Sequence, residues 1–272
     1  MIEDMNLERA QESVETNQSK AFPNGGIYIM RSERIYLAAV CHRIGVNGVG
    51  PHKHNDWLSF ELCADGVPVI IDPGTYCYTG NMEMRRLFRS TAYHNTVVVD
   101  GEEQVPIHNS MFALVNPFGD IHVTDWKSSE SFDLLTAQHT GYQRLADPVA
   151  HQRTFHLDKK THQVTVEDSF QGKGIHKIEF YFHLDTEIIC EIEPGTVLFS
   201  KNGCPVLSMK TNQSQIGLKL NNGWVSRAYN KKEPAQIVSW GTTIDAAVPQ
   251  AIKHTFFLQQ GPDSEAEAKV HA

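Results

Sequence analysis

The chain has no C-x-x-C pair, and its five cysteines, Cys41, Cys63, Cys77, Cys190 and Cys204, are odd in number. Neither a zinc ribbon nor a complete disulfide framework is indicated, and the thiols are expected to be free and buried. No apolar run approaches the roughly 18 residues that span a bilayer, and the opening Met1-Ile-Glu-Asp-Met-Asn-Leu-Glu has neither the basic nor the apolar region of a signal peptide. A soluble chain with no membrane partner is the expectation. Positive charge is also in short supply. The formal charge of −8 argues against a nucleic-acid partner, because phosphate-tracking proteins are usually net basic. A polyanion would need a local basic cleft, for which Lys53, Arg85, Arg86 and Arg89 are candidates, although solvated surface is the plainer reading of such a cluster.

Sustained 3.6-residue periodicity is missing as well, so a helical bundle is excluded and only Met82–Phe88 reads as a short helix. What is there is a succession of short β-branched and aromatic runs closed by turn residues. They comprise Ile27–Met30, Ile35–Cys41, Trp57–Ala64, Val67–Asp72, Asn95–Val99, Thr154–Leu157, Gln163–Asp168 and Ile178–Leu184 in the first two thirds. Glu187–Ile192, Thr196–Ser200, Gly203–Met209, Gln215–Leu220, Gly223–Arg227, Ala235–Gly241 and Ala251–Leu258 continue the pattern. With 272 residues and 40% hydrophobic content, this predicts an all-β fold, a large antiparallel β-sandwich with few or no helices. Residues 1–24 are expected to be a linker or extension, 25–260 one compact unit, and 261–272 a disordered tail.

The richest stretch is Gly50-Pro-His-Lys-His-Asn-Asp-Trp-Leu-Ser-Phe-Glu-Leu, followed by Val69-Ile-Ile-Asp-Pro-Gly-Thr-Tyr and Arg89-Ser-Thr-Ala-Tyr-His-Asn-Thr-Val. It gathers His52, His54, Asp72 and His94 against an apolar and glycine-proline background. Two imidazoles and a carboxylate suit Zn²⁺ and would leave a fourth position open. His52 shares the face of His54 in an extended backbone, as a further ligand or as a neighbouring acid or base. The plain alternative makes His94 a hydrogen-bonded core histidine and Asp72 a turn-former before Pro73-Gly74. The Asp65-Gly66 hairpin signal sets a condition on the metal reading. If Ala64 pairs with Val67, Asp72 falls opposite Ser59, and His54 lies about five residues, or roughly 16 Å, further along an ideal strand. Asn55-Asp56 must break that strand and fold the histidine loop back.

These motifs, together with His139-Thr-Gly-Tyr-Gln-Arg-Leu, resemble the C-terminal domain of the heparinase II/III-like polysaccharide lyases, in order across residues 25 to 185. The resemblance implies an antiparallel β-sandwich behind an α/α toroid, lining a cleft for uronic-acid polysaccharide. It implies a zinc ion held by His54, Asp72 and His94, with His52 at the catalytic cleft. A catalytic tyrosine maps to Tyr78, with Tyr76 the alternative and otherwise a substrate contact. Arg89 and Tyr142 are candidates for touching the anionic sugar, weighed against structural roles. The implied reaction is β-elimination, in which zinc organises the cleft wall. The family's principal catalytic residues come from the toroid, and nothing in residues 1–24 replaces it, so a helical partner in cis or trans is expected and the chain alone should be nearly inactive. Export to a periplasm or beyond is an expectation from the resemblance.

Two other classes compete. One is a noncatalytic module that binds acidic polysaccharide. The other is a cupin-like metalloenzyme, suggested by His-x-His followed by Glu61, at longer spacing than that arrangement uses. His176 and His183 read as structural, and Trp57, Trp126, Trp224 and Trp240 as core aromatics or sugar platforms.

Overall fold

The computed structural model describes residues 18–43, 50, 52–107, 119–213 and 217–259. The chain runs through β1 (Lys20–Phe22), β2 (Ile27–Arg31), β3 (Ile35–Val40), β4 (Phe60–Ala64) and β5 (Val67–Ile70) into helix α1 (Met82–Arg89). Then come β6 (Val97–Val99), β7 (Ile121–Ser128), β8 (Phe132–His139), β9 (Val149–Asp158), β10 (Gln163–Gly172) and β11 (Ile175–His183). The last strands are β12 (Ile188–Glu193), β13 (Thr196–Lys201), β14 (Cys204–Thr211), β15 (Lys219–Ala228), β16 (Lys231–Asp245) and β17 (Ala251–Leu258).

The strands form three open sheets of five, eight and four members. The first is ordered β1-β2-β3-β4-β5, the second β12-β13-β14-β17-β10-β9-β8-β7, and the third β15-β16-β11-β6. Period-two burial along β2, β3 and β10 turns one side of each strand inward. One apolar core takes Leu37 and Leu62 from the first sheet, Phe155 and Phe256 from the second, and Phe180 and Trp240 from the third. Phe60 is the hinge of this core: its ring lies 5.6 Å from Phe155, 6.1 Å from Phe256 and 6.4 Å from Phe182, so one side chain touches all three sheets. The antiparallel β-sandwich is therefore as the sequence suggested. Among the described residues none of the sheets closes into a barrel, and Glu61, the residue that suggested a cupin-like arrangement, is exposed between the buried Phe60 and Leu62.

Several expectations change. β1 places Lys20–Phe22 in the first sheet, inside the stretch expected to be a linker, whereas 261–272 lie outside the described residues. Cys204 is exposed and Cys63 half-buried, while Cys41, Cys77 and Cys190 are buried free thiols as expected. Among the tryptophans, Trp57 and Trp240 are core residues but Trp224 is exposed. Among the described residues, no helix is long and apolar enough to cross a membrane.

Helix α1 buries an unusual face. Asn81 caps it by accepting from the Met84 amide, and the inward positions i, i+3 and i+4 fall on Arg85, Phe88 and Arg89. Phe88 packs on Tyr93 and Tyr76, and the two arginines are carried beneath the histidine loop. The solvated-surface reading of Arg85 and Arg89 therefore fails, because helical spacing points them inward.

Candidate functional site

The loop before β4 meets the condition set by the hairpin. Ala64 does pair with Val67, and a bulge after Leu62 shifts the register so that Leu62 faces Ile70. β4 begins only at Phe60, because the chain turns at Leu58, which has a φ of 61°. The Asn55 amide donates to the Arg89 carbonyl at 3.0 Å, and the Asn55 side chain donates to Glu103 Oε2 at 2.7 Å and the Val105 carbonyl at 2.8 Å. These bonds fold the histidine loop back onto α1. His54 thereby reaches His94, ring centroids 5.2 Å apart, rather than lying at the far end of an extended strand.

His94 follows a 3-10 turn, Thr91–Tyr93, and is fully buried. Its Nδ1 lies 2.8 Å from Asp72 Oδ2, while Asp72 Oδ1 accepts the Gly74 amide at 2.8 Å and closes the Asp-Pro-Gly turn. Burial alone would raise the Asp72 carboxyl and lower the His94 imidazole. Their mutual charge and hydrogen bond overcome it, holding Asp72 below and His94 above their ordinary values. His54 behaves differently. Burial, followed by the charges of His94 and Arg85, pushes it down to about 3, so it is neutral, and its Nε2 accepts from Arg85 Nη1 at 3.1 Å. Arg85 itself is lowered to about 10 by burial and by Arg89, and remains cationic at neutral pH.

The three residues assigned to zinc are thus brought together, and their chemistry fits that ion: two imidazoles, one carboxylate and a buried His94 Nε2 without a hydrogen-bond partner among the described residues. As placed, their donors do not converge on one point. Asp72 bonds His94 directly and Arg85 takes the His54 lone pair, and no group of three or more such ligands is arranged for a metal among the described residues. A metal on His54 Nε2 would have to displace the Arg85 contact, whereas His94 Nε2 is open to one with its Nδ1 bond to Asp72 intact.

His52 is exposed and sits edge-on to Tyr78, ring centroids 5.4 Å apart at 78°. Arg85 lies 4.6 Å from the Tyr78 ring, so one guanidinium bridges the His54 edge and the Tyr78 face. Tyr76 instead stacks on Phe88 at 5.6 Å, which leaves Tyr78 as the tyrosine beside His52. Arg89 is not at the surface: it is buried and donates from Nε to the Lys53 carbonyl at 3.2 Å, fixing the backbone between His52 and His54. Tyr142 is fully buried and donates to the Val97 carbonyl at 2.8 Å, so neither it nor Arg89 faces a sugar here. Burial pushes the Tyr142 phenol well up.

Residues that sequence patterns did not single out hold this group in place. Asn95 donates to the Phe60 and Ile71 carbonyls at 2.8 and 2.9 Å and accepts the His183 amide at 2.6 Å, which ties β4, the end of β5 and β11 beside His94. Arg153 on β9 donates 2.7 Å bonds to the Leu58 and Asn95 carbonyls. Behind it runs a wholly buried relay. The Gly141 amide donates to His139 Nδ1, so that ring's proton sits on Nε2 and goes to His151 Nδ1 at 3.1 Å. His151 Nε2 in turn donates to Asp168 at 2.6 Å. Asp56, beside the loop, bonds His42 at 3.2 Å, and its charge acts on both His54 and His94. The only advance signal for the relay was the histidine of His139-Thr-Gly-Tyr. Two surface hollows, one beside Ser19 and Lys159 and one beside Phe170 and Ala246, include none of the site residues.

Comparison with known proteins agrees with this architecture. A family profile described as "Heparinase II/III-like, C-terminal" matches residues 14–260. A heparin-sulfate lyase of Pedobacter heparinus is 24% identical over 224 residues, covering 80% of this chain and 32% of that protein. A heparin-sulfate lyase of Bacteroides stercoris is 24% identical over 237 residues, covering 84% and 32%. The crystal structure of a heparan sulfate lyase from Pedobacter heparinus superposes with a TM-score of 0.74 at 21% identity, over 90% of this chain and 37% of that one. A crystal structure of heparinase III gives 0.73 at 15% identity, over 91% and 38%. The chain therefore spans about a third of the length of the curated relatives it matches.

Proposed function

The chain belongs to the heparinase II/III-like C-terminal family, and from that membership we propose that it forms one wall of a polysaccharide lyase cleft acting on uronic-acid-containing chains. The observation that carries this reading is the pairing of an exposed His52 with Tyr78 beside the buried His54 and His94 and the half-buried Asp72. β-Elimination requires the uronate carboxylate to be neutralised, a base to remove the C5 proton and an acid to protonate the departing glycosidic oxygen. His52 and Tyr78 are the groups proposed to exchange protons at this wall. Arg85, beneath Tyr78, supplies positive potential on the same side.

Zinc is proposed as the resident cation, held by His54, Asp72 and His94, with an organising role. When bound, it would supply fixed positive charge and tie the loop to the Asp-Pro-Gly turn. This chain's own residues then do the positioning: Arg89 holds the Lys53 carbonyl, Asn55 holds the loop on α1, and His52 is presented to the substrate.

The remaining catalytic groups are assigned to a helical toroid in cis or trans, in keeping with a chain that spans about a third of its curated relatives. The test is turnover on alginate, heparan and hyaluronan, followed by the absorbance of the unsaturated product. Negligible product from this chain alone and product on supplying the helical partner, lost in His52→Ala, is the expected result. Robust product from this chain alone would overturn the two-walled reading, and saturable glycan binding without turnover even with the partner present would leave a noncatalytic binding module.

A further inference from the structure

The β15–β16 hairpin carries an aromatic and cationic patch that no element of the proposed chemistry uses. Tyr229, at the turn, is 57% exposed, and Trp224 on β15 is 37% exposed. Most large aromatics of this fold are buried, so two exposed on one hairpin need a reason. Lys232 Nζ lies 4.1 Å from the Trp224 ring and 5.4 Å from Tyr76, held between two aromatic faces.

This patch is continuous with His52. Tyr229 stacks on Tyr78 at 6.2 Å and 21°, and Tyr78 meets His52 at 5.4 Å, so three rings run in contact from the histidine loop to the hairpin tip. The hairpin is also fastened to the Asp72 turn. The Ser226 amide donates to the Pro73 carbonyl at 2.8 Å, Gly74 bridges Ser226, and the Asn230 amide donates to the Tyr76 carbonyl at 2.8 Å. Gly74 permits that approach, because a Cβ there would lie 2.2 Å from the Ser226 carbonyl oxygen and its φ is +86°. The tip is therefore held in a fixed relation to Asp72 rather than swinging free.

We propose that this hairpin is a further subsite for acidic saccharide, in which Tyr229 offers a flat ring face to a sugar and Lys232 pairs with its carboxylate or sulfate. The inference rests on the acidic-polysaccharide reading of the His52 face and extends it to a hairpin to which the proposed proton transfers and cation site assign no role. Aromatic faces accept the C–H side of a pyranose, and an ammonium beside them selects an anionic ring over a neutral one. Glu233, next along β16, is exposed and disfavours a purely electrostatic, orientation-free attraction. The ring face supplies the orientation.

The test is calorimetric titration of the full chain with heparan sulfate oligosaccharides, alginate oligosaccharides and neutral dextran. Wild-type protein, Tyr229→Ala, Lys232→Gln and His52→Ala are compared. Tyr229→Ala and Lys232→Gln are each expected to weaken acidic-oligosaccharide binding by about tenfold. Raising the salt should shrink the Lys232→Gln difference while preserving that of Tyr229→Ala. A larger Lys232→Gln effect on heparan sulfate than on alginate identifies sulfate as the partner, and equal effects identify the carboxylate. Circular dichroism and an unchanged Tm establish that the exposed-site variants fold. If His52→Ala weakens binding while both hairpin variants match wild type, the subsite is refuted and the cleft reading stands. If the wild-type chain binds neither acidic probe, both are refuted.

Discussion

Arg153 grips Asp168 with two nitrogens, Nε to Oδ1 at 2.7 Å and Nη2 to Oδ2 at 3.0 Å, and both side chains are wholly buried. Its remaining nitrogen holds the Leu58 and Asn95 carbonyls, so this ion pair in the second sheet fixes both sides of the histidine site. Asp168 is held low despite its burial by the Arg153 and His151 interactions, and it stays ionised.

Removing one partner leaves the other charge buried and uncompensated. Arg153→Met is expected to cost about 3–5 kcal/mol, read from urea unfolding, whereas Arg153→Met combined with Asp168→Leu should cost clearly less than the sum of the single changes. Additive losses would show that the pair does not act as a unit.

Phe60 joins three sheets through three ring contacts, so its truncation opens a cavity at their junction. Phe60→Ala should cost about 3–5 kcal/mol, against under about 1.5 kcal/mol for Phe60→Leu if the core repacks. Thermal or urea unfolding distinguishes this from a peripheral ring, whose loss would be small.

His254 is buried among Phe180, Phe182 and Trp240 and accepts the Trp240 Nε1 proton at 3.0 Å. Burial pushes its imidazole down to about 3. The folded state therefore binds fewer protons than the unfolded state between about pH 3 and the ordinary imidazole value near 6.5. This contribution is full above about pH 6.5 and declines as pH falls, by about 2 kcal/mol at pH 5. His254→Gln, which keeps an acceptor for Trp240, should lower the dependence of stability on pH between 5 and 6.5 by one proton. An unchanged slope would contradict the buried neutral state.

Much of the sandwich was legible because most strands alternate in the ordinary way. The Asp65-Gly66 turn fixed the β4–β5 pairing, and Met82–Phe88 anticipated all but the last residue of α1. β8 was missed because its inward positions are Asp133, Leu135, Ala137 and His139, half of them polar, so the apolar alternation that marks a strand is broken. The same reason shortened β9, whose inward residues include His151 and Arg153. The buried relay that supports the site thus hid the strands that carry it. Within the site, His54, Asp72, His94 and the His52–Tyr78 pair followed from motif and resemblance, whereas the inward turn of Arg85 and Arg89 required the helix phase.

Zinc binding has a direct signature. The chain is expected to carry about one zinc by elemental analysis after dialysis against the ion, and His94→Ala or Asp72→Ala should reduce that to background. Stripping the metal at a hundredfold excess of zinc over its dissociation constant removes about 2.7 kcal/mol of stabilisation, visible as a Tm lower by several degrees. An unchanged Tm with stoichiometric zinc absent would remove the metal from the proposal.

The most direct measurement is a nuclear magnetic resonance titration of the zinc-loaded chain with heparan sulfate oligosaccharides, following the ring signals of His52 and Tyr78. The proposed cleft wall predicts that both shift along one saturable isotherm and that His52→Ala weakens binding by about tenfold. Saturable binding that leaves both rings unmoved would contradict it.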